Sequence, residues 1–170
     1  MGRLNRHEKY LKLAEAVSEA ATCLRRRFGA VVVSKDDEVV GTGYCGAPRG
    51  VIDCLETKVC AREELKVPSG ERYELCESVH AEPNAIMQAG RNRCIGGTLY
   101  LYCFNLKTGQ EDYIFPCTLC ERDIINAGIK EVVMRQHGGG YTAVLVKDYI
   151  EKRNKAQLEK QKKLAKKLTT

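Results

Sequence analysis

The chain opens on a helical pattern. Tyr10, Ala14, Val17, Ala21 and Leu24 recur every three to four residues, which places them on one helix face. Asn5 precedes the run and Glu8 follows three residues later, the spacing of a capping box. Gly29 reads as the stop. Apolar runs at 30–34 and 39–44 flank the turn Lys35-Asp36-Asp37-Glu38. A connection this short joins antiparallel strands, so a hairpin is expected. Residues 45–78 show little periodicity and hold Gly46, Pro48, Gly50, Pro68, Gly70 and four cysteines, Cys45 and three more. A loop this long inside a compact domain needs something to hold it.

Regular patterns resume at His80. Residues 80–89 read as a short helix stopped by Gly90, with Pro83 tolerated in the first turn. Residues 98–104 form a strand, and 105–115 a surface excursion around Lys107-Thr108-Gly109-Gln110. A helix over 117–127 stops at Gly128, and 131–135 is a further strand. The glycine-rich segment 137–141 leads into a helical pattern from Thr142 to the lysine-rich end. A hairpin followed by alternating helices and strands predicts an α/β fold, a mixed sheet covered on both faces. His80 and Cys117 then start two neighbouring helices near the C-terminal edge of the strands, where open α/β sheets keep their sites. The expected division is a body over 1–150, containing the Cys-rich loop 45–78, and a basic helical tail over 151–170.

With 170 residues, 44% of them hydrophobic, the chain can bury one core. No stretch approaches the roughly eighteen apolar residues of a membrane span, and residues 1–9 are too polar for a signal peptide. A soluble cytoplasmic protein with no membrane partner is expected. Net charge is +6, but the tail alone carries eight Lys or Arg against two Glu, leaving the body at 20 against 20. A body built to track a nucleic-acid backbone carries a basic field. The neutral body, the absence of Trp and the three Phe argue against a nucleic-acid partner. Nine cysteines, an odd number, point to metal or thiol chemistry rather than a disulfide framework.

The chemistry concentrates in His80-Ala81-Glu82 and Pro116-Cys117-Thr118-Leu119-Cys120, the H-x-E and P-C-x-x-C pattern of zinc nucleobase deaminases. Cys117 and Cys120 lie three apart and share a helix face. A helix N-terminus lowers thiol pKa, favouring thiolates. His80 adds an imidazole, and three protein ligands leave one tetrahedral position for water, as in a catalytic zinc site. Glu82 is close enough to exchange protons with that water without binding the metal. A thioredoxin-like redox pair and a closed structural zinc with Glu82 as fourth ligand are the competing readings. Pro116 and the paired His80 and Glu82 set this sequence apart from a redox motif.

Further segments sharpen the match. They are Thr22-Cys23-Leu24-Arg25-Arg26 before Gly29-Ala30, Gly41-Thr42-Gly43-Tyr44, Gly46-Ala47-Pro48-Arg49-Gly50, Val79-His80-Ala81-Glu82-Pro83-Asn84-Ala85-Ile86, and Ile124-Ile125-Asn126-Ala127-Gly128-Ile129-Lys130 after Cys120. Over about residues 8–141 the chain resembles the cytidine deaminase superfamily, most closely its deoxycytidylate (dCMP) deaminase branch. The resemblance implies a three-layer α/β/α cytidine-deaminase-like fold and homo-oligomers, often hexamers. It implies zinc-dependent hydrolysis of dCMP to dUMP with release of ammonia, and the Ala81 backbone amide near the pyrimidine carbonyl. Some members respond to dCTP and dTTP. Three departures bear on the substrate. Cys45 stands where members usually carry an Asn that holds the nucleotide, residues 105–115 are an insertion, and the Pro-Asp usual near Tyr141 is absent.

Some members also carry a second, structural zinc joining the first helix to the long loop, which here implicates Cys23, Cys54, Cys60 and Cys76. Four thiolates would close a tetrahedron and staple that loop; four buried free thiols are the alternative. Cys45, Cys94 and Cys103 read as packing residues, with Cys45 able to line the site. Arg26, Arg27 and Arg49 flank the expected pocket as candidates for a phosphate, and Tyr44, His137 and Tyr141 as candidates to rim or cover it. The competing functions are a deaminase of another free base, nucleoside or nucleotide, a deaminase of tRNA or single strands, and a non-catalytic zinc module.

Overall fold

A computed structural model describes residues 2–68, 70–112 and 114–168, with side chains through 165. Asn5 accepts the Glu8 amide at 2.9 Å and starts helix α1, Arg6–Ser18. The Glu8 carboxylate does not return to the cap; it binds Arg135 at 2.8 Å. The helix ends at Ser18, so Cys23 follows it in a loop rather than riding on its last turn. Strand β1, Arg26–Val33, runs straight through Gly29. The expected helix stop there is wrong, and the reason is packing. A Cβ at Gly29 would lie 2.0 Å from the Ala14 carbonyl oxygen, so this glycine lets α1 press on the sheet.

β1 turns into β2, Val39–Tyr44, as the antiparallel hairpin expected. The long loop that follows contains α2 (Cys54–Thr57), α3 (Ala61–Glu64) and a 3₁₀ turn at Tyr73–Leu75. It closes by a two-residue bridge between Gly46 and Val79, with N–H to O distances of 3.2 and 2.8 Å, so His80 starts beside the end of β2. Then come α4 (Ala81–Ala89), α5 (Arg91–Cys94), β3 (Thr98–Asn105), the two-residue β4 (Gln110–Glu111), α6 (Thr118–Ala127) and β5 (Glu131–Arg135). Residues 142–145, read from sequence as the start of the last helix, lie instead in strand β6 (Tyr141–Leu145). Glycine-rich residues 136–140 turn it back antiparallel along β5, and the unpaired edge of β5 decides its state. Helix α7, Val146–Leu168, is continuous across the boundary expected at 150.

The sheet order is β2-β1-β3-β5-β6, with β4 paired to β3. β3 and β5 are parallel and the remaining pairs antiparallel. Strand alternation divides the core into two layers. Val31, Val33, Tyr100, Tyr102 and Val133 face Tyr10, Leu11 and Ala14 of α1. Their neighbours Ala30, Val32, Leu99, Leu101, Val132 and Met134 face Ala81, Ala85 and Ala89 of α4 and Ile124 and Ala127 of α6. Burying one such leucine stabilises the fold by about 2 kcal/mol. The result is the three-layer α/β/α arrangement expected.

Edge strand β2 carries α4 unusually close. At Gly43 a Cβ would stand 2.4 Å from the Ala81 oxygen. Asn84 donates to the Tyr44 carbonyl at 2.8 Å, and Gln88 accepts from the Thr42 amide and hydroxyl. Side chains of α4 thus satisfy backbone groups that an edge strand leaves open.

Candidate metal centre and substrate pocket

His80 is the N-cap of α4 and Cys117 the N-cap of α6. Because α4 and α6 pack side by side against one sheet face, both N-termini open at the same end of the molecule. Cys117 Sγ accepts the Cys120 amide at 3.5 Å, which points both sulfurs inward. His80 Nδ1 lies 3.3 Å from Cys120 Sγ and 3.5 Å from Cys117 Sγ, and the sulfurs are 3.5 Å apart. This near-equilateral triangle is close to one face of a tetrahedron around zinc, whose edges are about 3.4–3.8 Å for bonds of about 2.1–2.3 Å. Among the described residues, these three are the His, Cys, Asp or Glu group whose ligand atoms lie within 4.8 Å of one another. The donor set fits zinc.

Protonation supports the same reading. A hydrogen bond from the Cys120 thiol, then His80 and the Cys120 amide, hold Cys117 well below the ordinary thiol range against its burial. Cys120, the proton-bearing partner, is pushed up by that bond and by burial. A bound cation replaces the shared proton and takes both groups as thiolates. The hydrogen bond to Cys117 also raises His80. Glu82, 5% exposed, lies within hydrogen-bonding reach of Cys120, and burial pushes its carboxyl above the ordinary carboxylate range.

The group opens into a cavity of about 520 Å³, in the size range of small-molecule sites. Of the expected site residues, His80, Ala81, Glu82, Cys117, Cys120, Arg26, Cys45, Cys23 and Cys76 line it. Ala81 is the first residue of α4, so its N–H has no acceptor within the helix. Arg27, Tyr44 and Tyr141 do not line it. Arg26 and Phe28 point into the cavity from β1, so strand alternation sends Arg27 to the other face, where it binds Glu19 at 2.7 Å. The same parity turns Cys45 inward and leaves Tyr44 exposed. Tyr141 packs on the His7 ring at 5.1 Å, Arg49 lines neither cavity, and His137 contacts the Glu111 carbonyl at 3.1 Å.

Arg25, Phe28, Arg62, Tyr73, Phe115 and Leu119 also line the cavity without having been singled out from sequence. Phe115 and Leu119 flank or lie inside the Pro-Cys motif, so adjacency was a usable signal for them. Arg62 and Tyr73 gave none. Arg62 is 8% exposed and donates to the carbonyls of Pro68, Glu71 and Arg72. Its guanidinium stands 5.5 Å from the Tyr73 ring, which meets His80 edge-on at 5.7 Å. A loop with few apolar contacts is thus pinned by one cation and brings an aromatic wall to the metal centre.

Cys23, Cys54, Cys60 and Cys76 all line a smaller neighbouring cavity of about 200 Å³. They do not form a group with ligand atoms within 4.8 Å of one another. Cys23 turns toward Cys45 instead, and a hydrogen bond from the Cys45 thiol holds Cys23 below the ordinary thiol range. Cys94 and Cys103 are packing residues, buried as expected.

Two helices that begin side by side and carry a His, Cys and Cys group fit to hold zinc, backed by a buried carboxylate, are the arrangement of the zinc-dependent deaminase class. The sequence profile of the cytidine and deoxycytidylate deaminase zinc-binding region matches residues 4–136. The chain is 38% identical over 138 residues to a deoxycytidylate deaminase of Mycobacterium phage D29, covering 78% of this chain and 96% of that one. It is 36% identical over 124 residues to the deoxycytidylate deaminase of Schizosaccharomyces pombe, covering 73% of this chain and 35% of that one. It spans about a third of the length of the two fungal relatives it matches. The dCMP deaminase of cyanophage S-TIM5 superposes with a TM-score of 0.54 at 26% identity, over 79% of this chain and 86% of that one. The same enzyme in complex with dCMP and dUMP superposes at 0.53, with 25% identity over 80% and 85%. The chain belongs to the cytidine and deoxycytidylate deaminase family.

Proposed function

We propose that this chain hydrolyses dCMP to dUMP and ammonia. The observation that carries the reading is the buried Glu82 beside the His80, Cys117 and Cys120 triangle at the floor of a nucleotide-sized cavity. Zinc, when bound, supplies Lewis-acid activation of water near neutral pH. The chain does the rest. Glu82 takes a proton from the attacking water and gives it to ring N3 of cytosine. It then takes the remaining proton from the added oxygen and delivers it to the exocyclic nitrogen as the carbon–nitrogen bond breaks, so ammonia leaves and a carbonyl remains. Burial suits Glu82 to this shuttle, because a raised carboxyl pKa lets it act as base and acid near pH 7. The Ala81 N–H receives the pyrimidine carbonyl, and Phe28, Tyr73 and Phe115 supply apolar walls. Arg26 and Arg25 at the rim receive the 5′-phosphate.

Thiolate ligands require a reducing compartment, which supports a cytoplasmic site of action. Exposed Met87 on α4 and Ile95 at the end of α5 support self-association. Among the described residues, no helix is long and apolar enough to cross a membrane. The four cysteines around the smaller cavity form, in this reading, a structural zinc site once Cys23 leaves Cys45.

The decisive experiment is an ammonia-release screen over cytosine, adenine and guanine compounds as bases, nucleosides and monophosphates. dCMP should be turned over fastest. Glu82→Gln should keep zinc and fold while losing roughly 10²–10⁴-fold in kcat. Silence on dCMP beside good turnover of another compound would overturn the substrate, and a fully active Glu82→Gln would overturn the mechanism.

A further inference from the structure

The excursion over 105–115 turns toward the pocket rim. Its short strand β4 pairs Gln110 with Asn105 and Glu111 with Phe104, and the Asp112 amide donates to the Cys103 carbonyl at 3.0 Å. Asp112 is therefore fixed to β3, the strand directly beside β1. In β1, Arg26 stands opposite Asn105. The Asp112 Oδ2 atom meets Arg26 Nη2 at 2.9 Å and accepts from Asn105 Nδ2 at 3.2 Å. On the other side of the same excursion Lys107 pairs with Glu63, which also faces Arg25 Nε at 3.5 Å. Both rim arginines are thus engaged by carboxylates that the excursion supplies or braces.

These pairs are half-exposed, with 40% of the Arg26 side chain and 25% of Asp112 accessible. An ion pair of that kind adds little to stability. Its effect is directional. A free arginine side chain forfeits its rotamer entropy when a ligand fixes it. Asp112 already holds this one at its Nη2. The guanidinium fork has five N–H donors, so the groups not used by Asp112 stay available for a two-pronged phosphate contact.

We propose that Asp112 is a positioning residue that aims Arg26 at the 5′-phosphate, so that the 105–115 excursion makes the pocket selective for a nucleoside monophosphate over the nucleoside. This rests on the reading of the cavity as a dCMP site. The test compares zinc-loaded wild type, Asp112→Asn, Asp112→Glu, Arg26→Gln and the Asp112→Asn/Arg26→Gln double variant. It measures dCMP kinetics and calorimetric binding of dUMP and deoxyuridine. Asp112→Asn should raise the dCMP KM and weaken dUMP by about three- to tenfold, with kcat and deoxyuridine binding unchanged. Asp112→Glu should restore part of the loss. In the Arg26→Gln background Asp112→Asn should add nothing, because its partner is gone. Equal losses on dUMP and deoxyuridine, additive losses in the double variant, or tighter dUMP binding by Asp112→Asn would each overturn the proposal. A wild type silent on dCMP would sink the functional reading and this proposal with it. An active wild type indifferent to Asp112→Asn would sink this proposal alone.

Discussion

Gly29 lies mid-strand with the Ala14 oxygen where a side chain would begin. Substitution by alanine must move helix α1 off the sheet or bend β1, because the atom in the way is backbone. Gly29→Ala should destabilise the protein by about 3 kcal/mol or more, read as a lowered denaturation midpoint at unchanged m-value. A midpoint within experimental scatter of wild type would show that the two elements can separate freely. From sequence this glycine looks like punctuation, because the alanine it accommodates is fifteen residues away. The residues of the candidate metal centre were legible for the opposite reason. Cys117 and Cys120 are held by one helical turn, and His80 and Glu82 by the first residues of another, so local spacing carries their geometry. Arg26 and Arg27 are neighbours in sequence, and only the orientation of β1 against the rest of the sheet decides which one reaches the cavity.

The 45–78 segment behaves as an element in its own right. It has short helices, a backbone bridge at its ends and Arg62 fastening three carbonyls, but none of its described residues belongs to either core cluster. Four cysteines around one small cavity complete it if they share a metal. Purified protein should then contain two zinc ions per chain. Cys60→Ser should lose one of them while the catalytic triangle keeps the other, and susceptibility of the loop to protease should rise. A count of one in wild type would assign the four thiols to packing alone. The sequence signalled the need for a staple through the length of the loop and its cysteines. It gave no sign of Arg62, whose acceptors are main-chain carbonyls of no particular residue type. β6 was misread for a related reason: Thr142-Ala143-Val144-Leu145 suits helix or strand, and pairing with β5 settles it.

At the scale of the molecule, three tyrosines record how the sheet and its covering helices exclude water. Burial pushes Tyr100, Tyr102 and Tyr149 each up to about 12. An unfolded tyrosine ionises near pH 10. Between those values the native state keeps protons that the unfolded chain has lost, so stability is full below about pH 10 and falls as pH rises toward 12. Phenolate absorbance should therefore show a late group of tyrosines ionising together with loss of the far-UV signal. Complete ionisation near pH 10 with the fold intact would contradict the burial described. The layer order of the body was legible in sequence, because strand and helix periods differ along the chain.

Helix α7 departs from that body. Beyond Arg153, which binds Glu121 at 2.9 Å, the side chains from 154 to 165 are exposed. At 1.5 Å per residue its 23 residues make a rod about 35 Å long, and the final twenty residues of the chain hold the whole net charge of +6. Such a molecule is a permanent electric dipole, a neutral bead on a cationic rod. A polyanionic surface or an applied field turns it rod-first. Dissolved salt relaxes that alignment, since the rod's charges are screened within a Debye length of about 8 Å.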